Sequence, residues 1–429
     1  MVLPLPKNRG ELAAWQGRRK LAAVEQARKS AFFQGKLDHI DLARLDDPEE
    51  WAKIPTLDKE MLRAIPEDRF FAEFCIGDRR QVAEYWRSGG ATGRPLFYPR
   101  SFTDIEHAMV AFARSYQMMG LEARDIVHNS FPLGVHPAGQ MWARAAAAVG
   151  AGVNWVGSGA GTPSAVQLQL LGLMRPSVWI GMPSYGLHLA NLAEVEGQND
   201  LFAPIGRILT SAEPLSQAKR EKLARMWGAE VFDAFGMTEI SLMGCESPAH
   251  DGLHIWTDLA YIEVLDETSL EPVPEGQPGT LVTTSLCTNS LTPFLRWNSG
   301  DIVSYHETGA TDGPFAVFPV IRHAHRTAGF FKIRGVNINH GEFEDFIFAD
   351  RAVADFKAEA VNQGDLDQLR LSIEVARGAD GAALTAALAA GIKRSFEVSP
   401  EVVVLERGTL AREFESSIKA PRFVDRRGT

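Results

Sequence analysis

The chain has 429 residues, and its 44 Lys+Arg against 54 Asp+Glu leave a formal charge of −10 with neutral histidine. Hydrophobic residues at 45% and charged residues at 23% are ordinary for a globular protein, which excludes a disordered chain, a collagen-like repeat and a disulfide-stapled miniprotein. The acidic balance argues against nucleic-acid binding, and Cys75, Cys245 and Cys287 are too few for a disulfide framework. The N-terminus, MVLPLPKNRGELAAWQGRRK, is too polar for a signal peptide, and no uninterrupted apolar run approaches the ~18 residues of a membrane span. A cytoplasmic protein of enzyme size is expected, with a homodimer left open.

The first stretch reads as helical, since GELAAWQGRRKLAAVEQARKSAFF spaces its apolar residues by three and four. From about Tyr85 the texture changes to short buried-strand candidates, DIVHNSF, GAGVNWVG, RPSVWIGMP, GRILTSAEP and AEVFDAFG. Between them lie helical stretches such as MWARAAAAV and SQAKREKLARMW. Strand–helix alternation of this kind predicts a mainly parallel α/β sheet. Leu253 to Tyr305, broken by PVPEGQPG and TNS, reads as an antiparallel sub-sheet. After Lys332 the order becomes strand, helix GEFEDFIFAD, strands VADFKAEAV and LRLSIEVA, the alanine-rich helix DGAALTAALAAGIKRSF and strand EVVVLE. That is an α+β unit, and the boundary is drawn as 1–327 and 328–429.

Five signals carry chemistry, the second of them a pair of segments. SGGATGRP (Ser88–Pro95) offers small residues and hydroxyls, Ser88 and Thr92, through which backbone amides can wrap a polyphosphate. Taken alone it is equally a glycine-rich hairpin turn, and it lacks the Gly-Lys-Ser/Thr of a Walker loop. TSAEP (Thr210–Pro214) and DAFGMTEI (Asp233–Ile240) each follow a candidate buried strand, where ligands bind in α/β sheets. Glu239 beside Thr238 could hold Mg²⁺ together with phosphate oxygens, or be a solvated acid starting a helix. In PFLRWNSGDIV, Asp301 closes a strand after a Ser-Gly turn and could accept bonds from two ribose hydroxyls, although most turn aspartates are only turn residues. HRTAGFFKIRGVNINHGEFED brings Arg326, Lys332 and Gly335, and the basic tail brings Lys419, which in isolation reads as a frayed terminus.

Other patterns are weaker. VGSGAGTP (Val156–Pro163) puts Thr162 where a dinucleotide fingerprint needs glycine, and GMPSYG lacks the spacing of a nucleophile elbow. Both read as turns or substrate-lining loops. Cys245, His250, His254 and Cys287 include zinc-ligand residue types at a spacing that fits no compact zinc module. Cys75 reads as a small buried hydrophobe.

Taken in order, the five signals resemble the adenylate-forming superfamily and, within it, the phenylacetate–CoA ligase family. SGGATGRP is similar to its phosphate loop SSGTTGKP, SAEP to GAEP, FGMTE to YGMTE, RWNSGD to YRTGD, and HRTAGFFKIRGVNI to GRTDDMIKIRGVNI. DGLHIW and PSY (Pro183–Tyr185) add to the likeness. The resemblance implies a large N-terminal multi-sheet α/β domain that binds ATP and a carboxylic acid, with a small mobile α+β C-terminal lid.

It implies that ATP, Mg²⁺ and coenzyme A serve a ligase making acyl-AMP and then a thioester. On that reading Ser88, Gly89, Gly90, Ala91, Thr92 and Gly93 cradle phosphates, and Glu239 carries Mg²⁺ beside Thr238. Ala212, Glu213, Pro214, Asp233, Ala234, Phe235, Gly236 and Met237 border the nucleotide. Asp301 and Arg326 hold the ribose, Lys332 lies with the nucleotide set, and Lys419 bridges the acid and the α-phosphate. The acid is expected against Phe131, Gly134, His136, Tyr185, Ala212, Phe235 and Met237, aromatics that favour an aromatic or cyclic acid.

This sequence departs from the family pattern at Arg94, at Ala328-Gly329 in the hinge, and at AREFES and Ile418 before Lys419. An amine or carrier-protein acceptor, or a catalytically silent binder, remain alternatives.

Overall fold

The computed structural model describes residues 3–88, 94–326, 330–334, 336–363, 366–417 and 420–427. The chain divides into two compact units. One takes Met1–Asp125, Leu133–Val153 and Phe232–Arg326; the other takes Ile126–Pro132, Asn154–Val231 and Thr327–Thr429.

The first unit opens with the expected helix, Arg9–Ala27, started by an Asn8 side chain that accepts from the Glu11 backbone N–H. Its buried stripe, Leu12, Ala23, Val24 and Ala27, follows helical spacing. Short helices Pro48–Ala52 and Lys59–Arg63 are each capped by an aspartate, Asp47 and Asp58. Leu37, Trp51, Leu62, Phe74, Tyr98, Phe294 and Trp297 share one apolar core. Over it runs an antiparallel series in the order Ala260–Leu265, Pro278–Ser285, Trp297–His306, Val320–Arg326, Leu253–Ile255, Ser241–Glu246 and Glu230–Met237. A two-stranded hairpin, Glu84–Arg87 with Phe97–Arg100, stands apart from this series.

In the second unit Ile126–Asn129, Val178–Gly181 and Arg207–Ser211 pair in parallel, as strand–helix alternation predicts. Helices Ser164–Met174, Pro183–Glu196 and Gln217–Trp227 belong to this alternation. The C-terminal stretch adds a four-stranded sheet in the order Glu401–Leu405, Leu366–Val375, Val353–Gln363 and Phe423–Asp425. With it come the hairpin Phe330–Ile333/Val336–Asn339 and helices His340–Ala349 and Gly381–Phe396.

Three local expectations need correction. Glu230–Met237 pairs antiparallel with Ser241–Glu246, because the turn between them is too short for a parallel crossover. Glu239 therefore lies in a strand-to-strand turn and starts no helix. Asp301 lies inside the strand Trp297–His306, just after Gly300 at φ +71, with ladder irregularities at Thr280/Val282 and Ile302/Val303. The described tail is anchored: Phe423–Asp425 pairs with Ala358–Ala360, and Arg422 forms a buried 2.6 Å ion pair with Asp355. Burial of Ala420 and of this paired charge offsets the fraying that its charged composition suggests.

Candidate active site

In the first unit the best-defined feature is the turn Thr238–Ile240. Arg100, 0% exposed, donates through Nη2 to the carbonyls of Thr238 (2.7 Å) and Glu239 (2.6 Å), and through Nη1 to Thr288 O and Thr292 Oγ1. Thr288 Oγ1 donates in turn to Ile240 O at 2.7 Å. A guanidinium fork fixed on four acceptors holds the turn rigidly, since its donors are set in one plane. Glu239 is buried; its Oε1 accepts from the Tyr98 hydroxyl at 3.0 Å and stands 3.8 Å from Lys59 Nζ. Burial, then the Glu239 charge, raises the Tyr98 phenol well above its usual value, so it remains a donor. One fixed carboxylate fits a Mg²⁺ ion that draws its remaining ligands from phosphates and water.

Phe235, Gly236 and Met237 lie half-buried on the neighbouring strand. A Cβ on Gly236 would come within 2.7 Å of the Ser241 carbonyl and Leu242 Cα, so only glycine permits this strand approach. Asp233 donates its backbone N–H to Glu246 Oε2 at 2.8 Å, and its own Oδ1 accepts from the Ala234 N–H. Asp301 is 1% exposed and is registered opposite Arg326. The Asp301 N–H donates to Ser299 Oγ at 3.0 Å.

Ser88 is buried and closes the hairpin end, its N–H on Leu96 O (2.8 Å) and its Oγ accepting from the Leu96 N–H (2.9 Å). Arg94, where the family pattern has lysine, sends Nη2 to the carbonyls of Arg63 and Ile65. His136 Nε2 lies 3.3 Å from Arg87 Nη1, and Gly134 adopts φ +93. Gly89, Gly90, Ala91, Thr92, Gly93, Ala328, Gly329, Gly335 and Lys419, with the Arg326 side chain, fall outside the described residues.

The second unit holds the other candidates. Ala212 sits at φ +70 just after the strand Arg207–Ser211. The Glu213 carboxylate accepts from Ser184 Oγ and, at 3.3 Å, from the Ser184 N–H. That places an anion at the first turn of Pro183–Glu196, where the helix dipole favours it. The Pro214 carbonyl accepts from Lys219 Nζ. Tyr185 is 0% exposed, its hydroxyl 3.0 Å from Ser164 Oγ, and Phe131 is also fully buried. Lys332 is exposed and its carbonyl accepts from Arg427.

The suggested zinc set is not assembled. Cys245 Sγ is directed to Ser115 O and Cys287 Sγ to Asp258 O, while His250 pairs with Glu246 and His254 stands 3.8 Å from Asp251. Burial pushes both thiols up to about 12, which disfavours the thiolates that zinc needs. No group of three or more metal-ligating His, Cys, Asp or Glu side chains occurs among the described residues. Cys75 is a buried thiol, as its type suggests.

Sequence reasoning missed Tyr98, Arg100, Ser164, His188, Phe414 and Glu415. The one available signal was an arginine at the end of LFYPR, inside an otherwise apolar strand.

Comparison with known proteins agrees with this layout. The AMP-binding enzyme family matches residues 58–288, and the AMP-binding enzyme C-terminal domain matches 335–427. The chain belongs to the AMP-binding enzyme family. It is 28% identical over 429 residues to the phenylacetate-coenzyme A ligase of Aromatoleum evansii, covering 97% of this chain and 93% of that one. The Thermus thermophilus protein of the same name is 28% identical over 377 residues, 83% of this chain and 82% of the relative. A solved 2-hydroxyisobutyryl-CoA ligase in the postadenylation state superposes with a TM-score of 0.84 at 24% identity, covering 99% and 91% of the two chains. The fold is thus the α/β fold of adenylate-forming ligases. Among the described residues no helix is long and apolar enough to cross a membrane.

Proposed function

We propose that this protein is an AMP-forming acid–thiol ligase: it joins a carboxylic acid to the α-phosphate of ATP, releases pyrophosphate, and passes the acyl group to coenzyme A with release of AMP. The observation that carries the reading is the Thr238–Glu239 turn, whose backbone carbonyls are held by Arg100 and whose buried Glu239 carboxylate accepts from Tyr98, in a member of the AMP-binding enzyme family. Preorganised charge of this kind needs no rearrangement when phosphate charge develops.

Mg²⁺, when bound by Glu239, supplies neutralisation of the phosphate oxygens. Ser88 and the loop through Gly93 would contact the phosphates. Thr238, Ala212, Pro214, Lys332 and the run Asp233–Met237 would border the nucleotide, with Asp301 and Arg326 holding its ribose. Glu213 would act on that border indirectly, by fixing the start of Pro183–Glu196. Lys419 would neutralise the attacking carboxylate and the α-phosphate together. The acid would lie against Phe131, Gly134, His136, Tyr185, Phe235 and Met237. Aromatic residues in this set, and relatives named phenylacetate-coenzyme A ligase, support an aromatic or cyclic acid. The division 1–327 and 328–429 would separate the ATP- and acid-binding domain from the lid.

Acid-dependent ATP–pyrophosphate exchange tests the first half, and an acceptor screen with coenzyme A, amines and carrier protein tests the second. Lys419→Ala should lower exchange by ~10²-fold or more, the scale of one lost preorganised charge. Asp301→Ala should raise the ATP KM at least ~10-fold, since charge-assisted bonds contribute ~1.5–3 kcal/mol each. No exchange with any acid, despite ATP binding, would identify a silent binder.

A further inference from the structure

The glycine-rich loop Val156–Pro163 has no part in the proposed chemistry, yet the tail lies directly on it. A Cβ on Gly159 would stand 2.7 Å from the Phe414 carbonyl oxygen, so glycine there admits the short helix Arg412–Ser416. Phe414 is 1% exposed; its ring stacks on His188 (centroids 5.3 Å, interplanar 15°) and meets Tyr185 edge-on at 5.4 Å. The Arg422 guanidinium lies 5.1 Å over the Phe414 ring. Glu415 accepts from the Ser164 N–H at 3.2 and 3.3 Å. Ser164 Oγ in turn stands 3.0 Å from both the Tyr185 hydroxyl and His188 Nε2. Phe414 and Glu415 belong to AREFES, the stretch by which this chain departs from the family pattern.

We infer that Phe414 and Glu415 are positioning residues for acid selection, fixing the Tyr185 ring and hydroxyl from behind so that the tail helps decide which acid is accepted. The inference rests on the reading that Tyr185 faces the acid. The Phe414 ring limits where the Tyr185 ring can move, and Glu415 holds Ser164, which orients the tyrosine hydroxyl. Removing the ring opens space behind Tyr185 and relaxes discrimination by size. Replacing the carboxylate alters discrimination by polarity.

The test is exchange kinetics across acids graded from short aliphatic to aryl, for Phe414→Ala, Phe414→Leu, Glu415→Gln, Gly159→Ala and Tyr185→Ala. Phe414→Ala should change the aryl-to-aliphatic ratio of kcat/KM by ~10-fold or more, the range set by pocket shape, with the ATP KM unchanged. Phe414→Leu should restore part of that ratio, and Gly159→Ala, by displacing the Phe414 backbone, should shift it as Phe414→Ala does. An equal fall for every acid, at constant ratio, would overturn the inference and leave Phe414 a structural anchor. Should Phe414→Ala not fold, Glu415→Gln decides: it should shift the ratio between hydroxylated and unsubstituted acids, and an unchanged ratio overturns the proposal. If Tyr185→Ala leaves the acid ratio intact, the underlying reading of Tyr185 fails; if it shifts the ratio and Phe414→Ala does not, only the present inference fails.

Discussion

The turn at Glu239 and the face of the helix Gln217–Trp227 both bury charge, by opposite means. At the Glu239 turn the fully buried cation is Arg100, whose planar fork is matched to fixed carbonyl and hydroxyl oxygens, while Lys59 stands 3.8 Å from the carboxylate. Elsewhere in that unit Arg114 pairs bidentately with Asp258 (2.7 Å twice) and Arg296 with Glu263 (3.0 and 3.1 Å). On Gln217–Trp227 the cations are lysines that reach the C-terminal stretch. Lys219 lies 2.7 Å from Glu344, and Lys222 donates to the carbonyls of Val353 (2.6 Å) and Ala354 (2.5 Å) under the Phe348 ring. Desolvation acts in both regions: burial lowers the Arg100 guanidinium from its usual value, raises the Glu344 carboxyl and pulls the Lys222 ammonium down to about 8. Arginine forks make a framework with little to gain by opening. A compact ammonium held on carbonyls makes a contact whose desolvation cost offsets much of its attraction.

The largest difference should appear on breaking one fork. Arg114→Ala leaves Asp258 buried and uncompensated, which should cost ~3–5 kcal/mol. Urea unfolding measures it, and a loss below that of Lys219→Ala would reverse the comparison.

Next comes the pH dependence of Lys222. Its folded value of about 8 lies below the ordinary lysine value of 10.5, so the unfolded chain holds the proton between those limits. The burial penalty is therefore complete below pH 8, and stability should rise by ~1.4 kcal/mol per pH unit from about 8 toward 10.5. Unfolding of Lys222→Met, compared with the parent across that window, should lack this rise. Parallel profiles would show that burial does not govern this lysine.

A smaller effect is expected when the second pair is replaced whole. Lys219→Met with Glu344→Leu removes both desolvated charges and should change stability by no more than ~1 kcal/mol, in either direction, because apolar packing replaces a poorly rewarded ion pair. A loss as large as that of Arg114→Ala would make this pair as strong as the forks. Smallest is a control outside both regions. Arg175 ends the helix Ser164–Met174 in the left-handed conformation at φ 45, where glycine suffers no Cβ clash. Arg175→Gly should raise thermal stability by ~0.5–1 kcal/mol without changing the pH profile.

Local chemistry determined much of this protein from its sequence. Helical spacing predicts Arg9–Ala27 and Gly381–Phe396, and short apolar runs predict Val178–Gly181 and Arg207–Ser211, because periodicity and burial are written into neighbouring residues. The motif order from SGGATGRP to FGMTE also points to the AMP-binding enzyme family, since close backbone approach and phosphate contact demand particular residue types at short range. Tertiary structure alone decided which partners each side chain meets. Arg100 bonds to Thr292, Glu415 to Ser164 and Lys222 to Val353, across separations of 192, 251 and 131 residues. It also paired Glu213 with Ser184, set Asp301 inside a strand and anchored a tail that reads as frayed. Such outcomes depend on burial and register between distant segments, and no local spacing encodes which distant oxygen will satisfy a given buried charge.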